Sequence, residues 1–106
     1  MMVKYNKLVR DKIPEIIEQK GGKCTYRIAD EKEYWEKLKW KLQEEIDDFL
    51  EAKNEEELAD VHEVVDAILD FVADIHGLSN KKVEALQKKK AEERGRFEKR
   101  IILEEA

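Results

Sequence analysis

A chain of 106 residues fits one compact domain, and a domain this short buries little surface, so partner contacts would help it fold. Charged residues make up 44% and aromatics 8%, which favours long solvated helices over a sandwich or barrel. The net charge of -5 excludes general affinity for nucleic-acid backbones, which need a basic face. Cys24 is the sole cysteine, which excludes an internal disulfide and a Cys-based zinc cluster. The opening MMVKYNKLVRDK lacks a signal-peptide apolar region, and no run is long enough to cross a bilayer, so a cytoplasmic location is expected.

In chain order, Pro14 sits early in an apolar-periodic stretch (Ile13, Ile16, Ile17) closed by Gly21 and Gly22, which predicts a short first helix. Cys24 to Ile28 alternates, as does Arg100 to Leu103, and the two can pair as a minor two-stranded ribbon (24–28 with 100–103). Asp30 with Glu33 reads as a capping box opening a helix over about 31–52, with Tyr34, Trp35, Leu38, Leu42, Ile46 and Phe49 as its apolar stripe. Asn54 with Glu57 repeats that signature for a helix over about 55–76, whose stripe is Leu58, Val61, Val64, Val65, Ile68, Leu69, Val72 and Ile75 and which Gly77 ends. So short a turn forces the two into an antiparallel hairpin. Ser79 then caps a charged fourth helix through roughly Glu93. The expected class is all-α, a single domain over 1–106.

The chemistry lies in which acids sit near the apolar stripes. At about 100° per residue, Glu45 lies at the edge of its helix's stripe with Asp48 beside it, and Glu57 and Asp60 hold the same register on the next helix. Residues three apart share a face, so each E-x-x-D pair can aim two carboxylates at one point, and the hairpin brings both pairs together. Four acids at a core edge repel one another unless a cation joins them, and an all-oxygen set suits Mg²⁺, with Mn²⁺ as a substitute. The plain alternative is that Glu57 belongs to Asn54's cap and the other acids to helix starts or solvent. Glu44, Glu63, Asp66 and Asp70 point away from the core; Glu44 or Glu63 could still act as a base or support the ligands. His62 and His76 are isolated, Cys24 reads as passive, and Trp40, on the polar side, is the aromatic best placed for a subunit contact.

The strings KLQEEIDDF (41–49) and EELADV (56–61), with YNKLVRDKIP (5–14) and KAEERGRFEKR (90–100) on the flanks, resemble the MazG-like and phosphoribosyl-ATP pyrophosphohydrolase-like all-α nucleotide pyrophosphatases. The resemblance maps magnesium ligation onto Glu45 with Asp48 and Glu57 with Asp60, although Asp48 stands where that pattern has Glu. It implies a hydrolase acting on acid anhydrides, which splits a nucleoside triphosphate or phosphoribosyl-ATP between its α and β phosphates to give a monophosphate and pyrophosphate. Glu44 would then be the general base, and Lys7, Arg10, Lys90 and Arg94 the cations that meet the phosphates. It also implies a homodimer or higher homo-oligomer with a small-molecule nucleotide substrate, and neither a nucleic-acid polymer nor a membrane as partner. The alternative from another class is a non-catalytic helical oligomeric module that serves only assembly or partner binding.

Overall fold

The computed structural model describes residues 4–52 and 54–106, and among them every regular element is a helix. The first, α1 (Ile13–Gln19), has Pro14 in its opening turn, where a missing N–H costs nothing, and Gly21 follows its end at φ 83°. The second, α2 (Glu31–Ala52), starts at Asp30, whose Oδ1 accepts from the Glu33 N–H at 2.8 Å. Only half of the expected capping box forms, because the Glu33 carboxylate turns to Arg27 instead of back to Asp30. The third, α3 (Glu55–Ile75), repeats the device: Asn54 Oδ1 accepts from the Glu57 N–H at 3.0 Å. Gly77, at φ 66°, follows its last turn, and the Leu78 N–H reaches back to the Val72 carbonyl at 3.1 Å. The fourth, α4 (Asn80–Arg94), is capped by Ser79 Oγ, which accepts from the Lys82 N–H at 3.2 Å, and ends at Gly95.

The chain groups into two compact units, Met1–Ile68 and Leu69–Ala106, and α3 contributes to both. In the first unit, α2 and the opening turns of α3 form the expected hairpin. Leu38 is fully buried and Val64 nearly so, while Tyr34, Trp35, Leu42, Ile46, Phe49 and Val61 are half-buried beside them. The segment before α1 lies on this hairpin. Asn6, in the left-handed region at φ 46°, turns its carbonyl to Lys37 Nζ at 2.6 Å, and Leu8 and Ile13 are half-buried. In the second unit Phe71 is buried, its ring 5.7 Å from that of His76, and Leu78, Val83 and Ala91 are half-buried.

The expected ribbon does not form: residues 24–28 and 100–103 are both without regular structure. Alternation supplies only one edge of a ladder, and Arg100 adopts φ 58°, which breaks the extended backbone at the start of the second segment.

Candidate functional site

Where α2 ends and α3 begins, carboxylates converge. Oxygens of Glu45, Glu57 and Asp60 all lie within 4.8 Å of one another, and an overlapping group joins Glu44, Glu45 and Asp48 within the same limit. All four acids singled out by their register therefore gather around Glu45. Glu45 is only 8% exposed, which is unusual for a carboxylate and demands a partner. Burial, together with the charges of Asp48, Asp60, Glu45 and Glu56, holds the Glu57 carboxyl above its ordinary range.

Three cations from this chain answer the acids. Lys41 Nζ lies 3.1 Å from Glu45 and 3.6 Å from Glu44, one helical turn away on the same helix. Lys7 donates to Glu44 at 3.0 Å, and Arg10 donates to Asp60 at 2.8 Å. Lys7 and Arg10, expected to meet phosphates, are thus turned inward onto carboxylates. The hydrogen bond between Lys7 and Glu44 holds Glu44 below the usual carboxylate range and Lys7 above the usual amine range. Glu44, expected as the general base, is thus engaged by Lys7 and lies near Lys41. Lys41 was missed in sequence, although its spacing of three and four from Glu44 and Glu45 carries the signal. Lys90 and Arg94 lie exposed on α4, in the second unit.

Beside the cluster, Lys39, Trp40, Gln43, Glu44, Asp47 and Asp48 line a shallow depression. Its three carboxylates against one amine make it a poor seat for a polyphosphate. Trp40 is 68% exposed, and Lys37 Nζ sits 4.8 Å from its ring centre. His62 is exposed and lies 3.4 Å from Asp66, and Cys24 is half-buried with its thiol facing the Pro14 carbonyl at 3.9 Å.

The other end of the chain carries a different feature. After Gly95, Phe97 is 98% exposed, Ile101 77%, Ile102 82% and Leu103 78%. Four large apolar side chains thus stand in water within seven residues.

A family model described as phage tail assembly chaperone proteins matches residues 2–104. The chain belongs to that family. No curated protein and no solved structure matches it. Membership over nearly the whole length overturns the resemblance to MazG-like and phosphoribosyl-ATP pyrophosphohydrolase-like enzymes, and with it the hydrolase and its nucleotide substrate. The physical source of the error is visible. Strings such as KLQEEIDDF and EELADV use the residues that any charged, capped helix uses, and three-residue acid spacing follows from helical geometry whether or not a phosphate is handled. A tail assembly chaperone points to a non-enzymatic role with protein partners, which matches the helical interaction module. No helix among the described residues is long and apolar enough to cross a membrane.

Proposed function

We propose that the chain is a non-catalytic assembly chaperone that binds a phage tail protein and shields its apolar surface until assembly. The observation that carries this reading is the apolar segment Phe97, Ile101, Ile102 and Leu103, exposed on a chain that belongs to a tail assembly chaperone family. The exposed apolar side chains of this segment can enter a client's groove, and the flanking charges keep it soluble. The test is co-expression with individual phage tail proteins, followed by size-exclusion chromatography. The wild type should keep its client soluble and co-elute with it, and a Phe97→Ser, Ile101→Ser, Leu103→Ser variant should lose at least about tenfold in affinity. The reading fails if no tail protein binds, or if magnesium-dependent pyrophosphate release from nucleoside triphosphates appears and Glu45→Gln abolishes it.

The acid cluster supports a second, structural role. The converging oxygens of Glu45, Glu57 and Asp60, with Asp48 in the overlapping group, suit a hard cation such as Mg²⁺ or Mn²⁺ that would tie the end of α2 to the start of α3. Millimolar Mg²⁺ should then raise the wild-type melting temperature and leave that of Glu45→Gln unchanged. Equal shifts in both proteins would remove this role.

A further inference from the structure

Residues 100–103 alternate as a strand does, yet the described residues hold no strand for them to pair with. A turn closes just before this stretch: the Arg100 N–H donates to the Phe97 carbonyl at 3.3 Å, and Arg100 stands at φ 58°, a conformation uncommon for a residue with a side chain. Beyond the turn, Ile101, Ile102 and Leu103 are exposed, and their peptide groups form no backbone hydrogen bond among the described residues.

The order of the side chains decides how such a segment is buried. On a helix, at about 100° per residue, Ile101, Ile102 and Leu103 spread around the axis and no one face holds all three with Phe97. On a strand, Phe97, Ile101 and Leu103 fall on one side and Ile102 on the other, and Ile101 and Ile102 are β-branched. The backbone adds a second demand. A client that buries Ile101 and Leu103 also strips water from the peptide groups between them, so it must offer N–H and C=O groups in return. A groove bordered by an open sheet edge supplies both in register, and a groove lined by side chains alone does not. Arg100 before the stretch and Glu104 after it limit it to one short edge strand.

We propose, taking the chaperone role as given, that residues 101–103 pair as an added strand with an open sheet edge of the client tail protein. Ile101 and Leu103 then face the client's groove and Ile102 faces away. Pairing draws Arg100 out of the left-handed region, which opens the turn and brings Phe97 onto the side of Ile101.

The full chain, titrated with the tail protein it retains in co-expression, tests this. In a paired strand alternate N–H groups face the partner, so of Ile101→Pro and Ile102→Pro one should bind at least about tenfold more weakly than alanine at the same position, and the other within about threefold of its alanine counterpart. Ile101→Ser and Leu103→Ser should each weaken binding more than Ile102→Ser. Arg100→Val, whose β-branched side chain disfavours positive φ, should bind severalfold tighter. All these positions are exposed and outside the helices, so the fold itself is not at stake. Prolines that behave alike at the two positions, an Ile102→Ser as harmful as Ile101→Ser, or an Arg100→Val that binds more weakly would overturn strand pairing while client binding itself persists. Retention of no tail protein would overturn both. A dimer formed without client and broken by the same single proline would put a second copy on the strand and overturn the client's edge as its partner.

Discussion

Glu57 and Glu44 sit a few ångströms from the same buried carboxylate and titrate in opposite senses. The folded-state pKa of Glu57 is raised, so folding favours its protonated form, and stability falls as pH rises from the ordinary 4.5 through the folded value. Glu44 is lowered, so its contribution is present above 4.5 and is lost as pH falls through the folded value. Glu57→Gln, which keeps the N–H that Asn54 caps, should therefore raise the melting temperature at neutral pH by about 1–2 °C, and the gain should fade below about pH 4.5. Glu44→Gln should do the reverse, lowering it at neutral pH by a similar amount by leaving Lys7 without its partner. Calorimetry from pH 3 to 8 reads both, and parallel curves for the two variants would contradict the assignment.

The elements were legible where a side chain speaks to a backbone group nearby in sequence. Asp30, Asn54 and Ser79 each accept an N–H three residues on, so three helix starts followed from local chemistry alone. Asn54→Ala should cost about 1 kcal/mol in urea unfolding, because it frees an N–H at the one turn that sets the hairpin. A ribbon depends on a partner strand far away in the chain, which alternation at 24–28 and 100–103 could not supply. The meeting of Glu45, Asp48, Glu57 and Asp60 was legible for a similar reason, since helical register and a short turn fix it. What they serve was not. The register says that acids meet, and only the cations that reach them, Lys41, Lys7 and Arg10, show that this chain answers much of their charge itself. Of the apolar stripe expected on α3, Leu58 and Val65 lie exposed at its edge.

On the scale of the whole molecule, few apolar side chains are buried: Leu38, Val64 and Phe71 among the described residues. Leu38→Ala should accordingly cost about 3 kcal/mol, a large part of the stability available to so short a chain. The N-terminal segment has its own consequence. Its charged anchors, Lys7 to Glu44 and Arg10 to Asp60, are about half-exposed, the setting in which dissolved salt screens attraction most effectively. The stretch from Lys7 to Lys12 is then a latch whose grip follows ionic strength, and trypsin should cut after Arg10 or Lys12 severalfold faster in molar sodium chloride while α2 and α3 stay intact.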